Sequence, residues 1–97
     1  MTFADIVKDV IGEETVIYVY YEKDDLKVVT NWGNFLEAAS KIDYQDTLQV
    51  KSGIRFVMED NSYWEFVQDN GWYFNHAIPV DYATLPISKI TKEDLFY

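Results

Sequence analysis

The sequence predicts an α+β domain in which an antiparallel β-sheet, built from a hairpin plus a meander, carries two helices packed on one face. Two segments repeat apolar residues at the three-and-four spacing of a helix, and several short segments are rich in β-branched and aromatic residues. Turn-forming residues separate these segments. The length of 97 residues predicts one compact domain over residues 1–97.

The first elements are a helix and a hairpin. Thr2 can cap a helix over Phe3–Ile11, whose apolar residues form a single stripe. Thr15–Tyr21 is too rich in β-branched and aromatic residues for a helix, so it is predicted to be a strand. It pairs with Leu26–Thr30 across the acidic segment EKDD.

The middle of the chain holds the second helix. Asn31 or Asn34 can cap it, and it is predicted to cover Phe35–Ile42. The segment Thr47–Lys51 is then predicted to be a strand that turns back into the strand Ile54–Asp60.

The meander continues through Tyr63–Gln68 and Trp72–His76, joined by a strong hairpin signal, Asp69-Asn70-Gly71. Residues 77–88 hold both prolines and are predicted to be irregular. Thr91 can cap a last short turn in which Leu95 and Phe96 dock. Strand alternation places Ile54, Phe56, Met58, Trp64 and Phe66 opposite to Arg55, Val57, Glu59, Tyr63, Glu65 and Val67.

The charge balance is the strongest global feature of the composition. Seventeen acids against eight bases leave a net charge of −9. Such a chain disfavours nucleic acid or anionic lipid as a direct partner and favours a basic partner. The competing interpretation is that acidity serves solubility alone. The sequence has no apolar run long enough to span a membrane, no signal-peptide pattern and no cysteine, so we expect a cytoplasmic protein. We also expect it to be a monomer.

Motifs for catalysis are absent from the sequence. His76 is the single histidine, Arg55 is the single arginine, and there is no GxSxG or glycine-rich phosphate loop. The acidic segments also lack the residue order of a calcium loop. We therefore expect no enzymatic activity, no cofactor and no metal.

The carboxylates gather at turns and at the ends of predicted elements. The 33-residue stretch Phe56–Ser88 contains no lysine or arginine, so one region of the surface is expected to be strongly negative. Acids on hairpins can be spaced over distances comparable with those between nucleic-acid phosphates. Such acids could occupy a protein groove that normally holds DNA. The competing interpretation is that charged residues are found at turns simply because turns are exposed to water. The candidate partner-binding residues are Glu22, Asp24, Asp25, Asp43, Asp46, Glu59, Asp60 and Asp69.

Two stretches, IGEETVIYVYYEKDDL (Ile11–Leu26) and NFLEAASKID (Asn34–Asp43), carry a resemblance to known proteins. Together with the length and acidity, they resemble small phage-encoded anti-CRISPR proteins, particularly the DNA mimics that inhibit type I-F surveillance complexes. The resemblance implies binding to a Cascade-like RNA-guided complex at the basic surface where target DNA enters. It implies no catalysis and no cofactor, and it places the protein in the host bacterial cytoplasm.

Two alternatives remain open at this point. One is an immunity protein that neutralises a basic toxin, such as a nuclease. The other belongs to a different class and is a small enzyme centred on His76 and nearby acids.

Overall fold

In the part of the chain that the structure describes, five strands form one antiparallel sheet and two α-helices pack on one face of it, so the predicted α+β class is confirmed. The computed structural model describes residues 1–68, 71–76 and 85–97. Predicted site residue Asp69 and most of the predicted irregular segment, residues 77–84, lie outside the described residues. The strand order in the sheet is β2-β1-β3-β4-β5. In chain order the elements are α1 (Phe3–Ile11), β1 (Val16–Lys23), β2 (Leu26–Thr30), α2 (Trp32–Ala39), a first 3-10 helix (Tyr44–Gln49), β3 (Ile54–Met58), β4 (Tyr63–Val67), β5 (Gly71–Asn75) and a second 3-10 helix (Lys92–Leu95).

Helix α1 begins with the predicted cap. The N–H of Asp5 donates to the Thr2 hydroxyl at 3.3 Å, and the Asp5 carboxylate accepts the Thr2 N–H at 2.9 Å. This reciprocal capping box satisfies two amides that would otherwise lack partners at the helix start. Gly12 follows the helix with a φ of 67°, a conformation that glycine adopts at least cost.

Helix α2 resolves the choice between two possible caps. The Asn31 side chain accepts the Asn34 N–H at 2.7 Å, so Asn31 is the cap and the helix begins at Trp32. The helix ends at Ala39 rather than at the predicted Ile42. At that end the Ser40 hydroxyl donates to the Glu37 carbonyl at 2.7 Å, a local bond that competes with further helix formation.

Both faces of the sheet are partly buried, and the side chains of β3 and β4 alternate between the two faces as predicted. Phenylalanine rings fill the face under the helices, with Phe3 and Phe66 centred 5.1 Å apart and Phe35 and Phe56 4.9 Å apart. A register shift between Val16 and Tyr18 turns Tyr18 to the other side. The buried cluster on that opposite face comprises Tyr18, Tyr20, Val29, Val57 and Tyr63, with Leu85 packed against it.

The predicted strand Thr47–Lys51 is wrong, because residues Tyr44–Gln49 form the first 3-10 helix. The Thr47 hydroxyl donates to the Tyr44 carbonyl at 2.7 Å, and the Val50 N–H donates to the Thr47 carbonyl at 3.1 Å. These local bonds favour a tight turn over an extended strand.

Val50 and Lys51, which follow the first 3-10 helix, dock the C-terminal turn. Val50 forms an isolated bridge with Phe96, and the Lys51 N–H donates to the Leu95 carbonyl at 2.8 Å. The predicted cap at Thr91 and the docking of Leu95, which is fully buried, are confirmed.

Candidate functional site

The acidic tip of the first hairpin is a two-residue turn built from aspartates. Lys23 and Leu26 form the last pair of the ladder, and Asp24 and Asp25 between them have φ values of 51° and 65°. Two positive φ angles in succession are the mark of a type I′ turn, for which Asn-Gly is the favoured sequence. With Glu22, the two aspartates give this β1–β2 tip (Glu22 to Asp25) three exposed carboxylates.

Two lysines near the β1–β2 tip, Lys23 and Lys51, make contacts outside the tip, whereas Lys27 lies directly opposite Glu22 in the ladder. Lys23 Nζ lies 2.6 Å from Asp94 Oδ1. This hydrogen bond is the main reason that the pKa of Lys23 is raised and that of Asp94 lowered. Lys51 Nζ lies 4.9 Å from the centre of the Tyr21 ring, and burial is the main cause that lowers the pKa of Lys51. Asp24 contributes only a minor attraction to either lysine.

The second acidic turn, the β3–β4 tip (Glu59 to Ser62), holds one carboxylate that is locally bonded. Asp60 Oδ1 accepts the Ser62 N–H at 3.0 Å and also the Ser62 hydroxyl. These bonds are the main reason that the pKa of Asp60 is lowered, and His76 adds a smaller attraction. Asn61 completes the turn with a φ of 66°. Glu59 and Asp60 are both exposed.

The register of the sheet places the two tips at opposite ends. Val16 pairs with Met58, so the β3–β4 tip lies at the start of β1, whereas the β1–β2 tip lies at its end. At ~3.3 Å per residue, the seven steps of β1 separate the tips by roughly 20 Å. The candidate acids therefore do not form one continuous cluster.

Asp43 and Asp46 form a third group, beside the start of α1. Asp43 makes an isolated bridge with Thr2, and the Tyr44 N–H donates to the Met1 carbonyl at 3.0 Å. Asp43 is exposed, whereas Asp46 is half-buried and accepts a long 3.4 Å hydrogen bond from Gln49.

An exposed aromatic residue lies between these two aspartates. The Tyr44 side chain is 57% exposed, and a shallow cavity of about 320 Å³ is lined by Met1, Asp43, Tyr44 and Gln45. A tyrosine beside carboxylates is an effective interface anchor because it is large, rigid and able to donate a hydrogen bond. Sequence reasoning missed Tyr44 because the first 3-10 helix was not predicted, although the order DYQD carried the signal.

The ion pairs of the described residues use none of the candidate acids. They join Asp5 to Lys8 at 3.8 Å, Asp94 to Lys23 at 2.6 Å and Glu65 to Arg55 at 2.8 Å. Three of the eight bases are thus committed to other carboxylates. Within the described part of the chain, no lysine or arginine nitrogen lies within 4.0 Å of a carboxylate oxygen of a candidate residue. The candidate residues in this part are Glu22, Asp24, Asp25, Asp43, Asp46, Glu59 and Asp60.

Arg55 and His76 have surroundings that bear on chemistry. Arg55 is held by Glu65 and lies 5.2 Å from the centre of the Tyr20 ring, so it is fixed within the sheet. His76 is exposed, and its ring meets that of Phe74 edge-on at 5.0 Å.

Among residues 1–68, 71–76 and 85–97, no three or more His, Cys, Asp or Glu side chains are grouped to hold a metal ion. No helix in that part of the chain is long and apolar enough to cross a membrane.

The fold and the site define a small acidic α+β domain with exposed carboxylates on two hairpin turns and beside a 3-10 helix. Comparison with known proteins adds no relative: no family model, no curated protein and no solved structure matches the chain.

Proposed function

We propose that this protein is an inhibitory binding protein that acts as a DNA mimic. It occupies the cationic DNA-binding surface of an RNA-guided CRISPR surveillance complex in the bacterial cytoplasm and prevents recognition of target DNA. The choice of partner rests on the resemblance to anti-CRISPR proteins. The choice of mechanism rests on the placement of charge.

The observation that carries the proposal is the turn Asp24-Asp25. Both residues hold a positive φ, both are exposed, and neither forms an ion pair with a described residue. A non-glycine residue in this region costs of the order of 1 kcal/mol, somewhat less for aspartate. Adjacent carboxylates also repel one another. Asp-Gly is a favoured sequence for this turn, so Asp24 suits the turn itself, whereas Asp25 occupies the position at which glycine is favoured.

The separation of the acidic tips suits an extended cationic groove. Their distance of roughly 20 Å equals about six nucleotide steps of 3.4 Å along one DNA strand. The β1–β2 tip and the β3–β4 tip belong to one hydrogen-bonded sheet, because β1 pairs with both β2 and β3. The sheet thus fixes the spacing before binding, which lowers the ordering cost of association.

Charge reversal at the β1–β2 tip tests the proposal. Asp24→Lys with Asp25→Lys changes the net charge by +4, and Asp9→Lys with Glu37→Lys is the matched control on exposed positions of the two helices. The tip variant should lose at least about tenfold in affinity for the surveillance complex, since placing like charges together costs several kcal/mol. The control should lose much less.

The partner itself is tested by capture from the lysate of a bacterium that carries a type I-F system, at low and at high salt. Recovery of surveillance-complex subunits at low salt, and their loss at high salt, is the expected result. Recovery of a basic nuclease toxin instead would indicate that the protein is an immunity protein and that the surveillance complex is not its partner. Equal capture by the wild type and the tip variant would exclude the tip as the contact surface.

A further inference from the structure

Strand β5 forms one edge of the sheet, and among the described residues we find none of the features that protect an edge from pairing with another chain. Its sequence, GWYFN, contains no charged residue and no proline. Natural edge strands are usually guarded by lysine, proline, a bulge or a covering segment. Within the described residues, β5 pairs only with β4.

The opposite edge of the same sheet provides a contrast. Strand β2 carries Lys27, and the chain returns to cover its outer side. The Ser88 N–H donates to the Val29 carbonyl at 2.8 Å, and the Thr30 hydroxyl donates to the Ser88 carbonyl at 2.6 Å. One edge is therefore guarded by charge and by hydrogen bonds, whereas the other presents aromatic side chains.

Exposure on β5 is unusually high for aromatic residues in a strand. Tyr73 is 61% exposed and Phe74 is 43% exposed. The Phe74 ring extends an aromatic row, since it lies 5.0 Å from the ring of Trp64 and 5.0 Å from that of His76. Side chains on both faces of this edge are thus available for contact.

We infer that β5 pairs with β5 of a second copy of this chain, in an antiparallel dimer around a two-fold axis at Tyr73. This register places Tyr73 opposite its own symmetry mate, and Trp72 opposite Phe74 of the second copy. Opposite residues of an antiparallel pair lie on the same face, so aromatic side chains meet aromatic side chains. A strand without charge can pair with itself without opposing like charges.

Charge and area define how strong the dimer is. Each copy carries a net charge of −9, so two copies repel one another, and salt weakens that repulsion by screening. One five-residue edge buries less area than the ~800 Å² per partner of a standard stable interface. The dimer is therefore weak and favoured by salt, and at low concentration the protein is the monomer that we expect from the sequence. The sign of this salt effect is opposite to that of the proposed binding to a cationic partner, so the two proposals can fail separately.

The test is sedimentation velocity of the full chain from about 10 μM to about 1 mM, at low and at high salt. The average mass should rise from 11.4 kDa towards twice that value as concentration increases, and more so at high salt. Tyr73→Lys should weaken dimerisation at least about tenfold, because it places two lysines opposite each other across the axis. Leu48→Lys is the matched control, since Leu48 is 60% exposed in the first 3-10 helix and the charge change is the same.

A second readout needs no variant. Amide hydrogen exchange in β5 of the wild type should slow as concentration increases, while exchange in β2 should not change. A wild-type protein that stays monomeric throughout the range would overturn the inference and leave the edge to a different partner. A dimer that Tyr73→Lys and Leu48→Lys weaken equally would overturn it as well.

Discussion

Replacing the turn Asp24-Asp25 by Asn-Gly separates the role of the turn in folding from its role in binding. Both aspartates have positive φ, at 51° and 65°, and Asn-Gly is the sequence that a type I′ turn favours. The double variant Asp24→Asn with Asp25→Gly keeps the backbone path and removes two exposed charges. We expect it to be more stable than the wild type and weaker in binding.

The magnitude of the gain in stability follows from the backbone. Relief of the positive φ of Asp25 by glycine should contribute about 1 kcal/mol, and the greater freedom of glycine in the unfolded chain offsets part of it. Loss of repulsion among the carboxylates of the β1–β2 tip adds a few tenths. The net gain of about 0.5–1 kcal/mol corresponds to a rise in Tm of roughly 2–8 °C for a domain of this size.

The binding effect has the opposite sign. Two charges removed from a contact with a cationic surface should weaken the complex about ten- to hundredfold at low salt, or about 1.4–2.8 kcal/mol. The matched control Asp9→Asn with Glu37→Gln removes two exposed carboxylates from the helices and leaves both turns intact. The control should change neither stability nor affinity by more than about 0.5 kcal/mol.

Thermal unfolding by circular dichroism measures the first effect, and titration of the surveillance complex measures the second. A variant that is stabilised and binds as tightly as the wild type would refute the assignment of the tip to binding. A variant that is destabilised would refute the reasoning about the turn, because the aspartates would then be favourable for folding.

Three further predictions concern the fold. Phe56→Ala should cost about 3–5 kcal/mol in urea unfolding, because the fully buried Phe56 ring lies 4.9 Å from Phe35, whereas Phe74→Ala on the exposed edge should cost under about 1 kcal/mol. Burial, with a contribution from Asp94, raises the pKa of Tyr21 to about 12, so the stability of the neutral phenol is present below pH ~10 and is lost as pH rises towards 12. Tyr21→Phe should therefore reduce the decline in Tm over that range, and an unchanged decline would contradict the assignment. Asp94→Asn should lower the free energy of unfolding by about 1 kcal/mol at neutral pH through loss of the bond to Lys23 and of the Thr91 cap. Because the pKa of Asp94 is lowered in the folded state, this difference should be present above pH ~4 and should disappear as pH falls through the folded pKa.

Local sequence signals predicted most of the secondary structure. The cap at Thr2, the antiparallel pairs β1–β2, β3–β4 and β4–β5, and the alternation of Ile54 and Phe56 against Arg55 all depend on neighbours a few residues apart. The failure at Thr47–Lys51 has the same origin, because two apolar residues in alternation resemble a strand. The hydrogen bond from the Thr47 side chain to the Tyr44 carbonyl favours the 3-10 helix over a strand.

The arrangement of the site depends on contacts that the sequence does not reveal. The sheet order sets β1 beside β3, and only this long-range pairing places the two acidic tips at opposite ends. The ion pair of Lys23 joins residues 71 positions apart, so its effect on the charge of the β1–β2 tip could not be predicted from local sequence. The sequence could predict that carboxylates lie at turns. Only the folded structure shows that these carboxylates form three separate groups.

Displacement of DNA from the surveillance complex by this protein is the decisive test of the proposed DNA mimicry. A labelled target duplex is bound to the purified surveillance complex, this protein is added, and release of the duplex is followed by fluorescence anisotropy. We predict that the wild type releases the duplex at low salt, that the helix control Asp9→Lys with Glu37→Lys does so nearly as well, and that Asp24→Lys with Asp25→Lys requires at least about tenfold more protein. A protein that leaves the duplex in place, or releases it equally well with either pair of substitutions, would contradict the account.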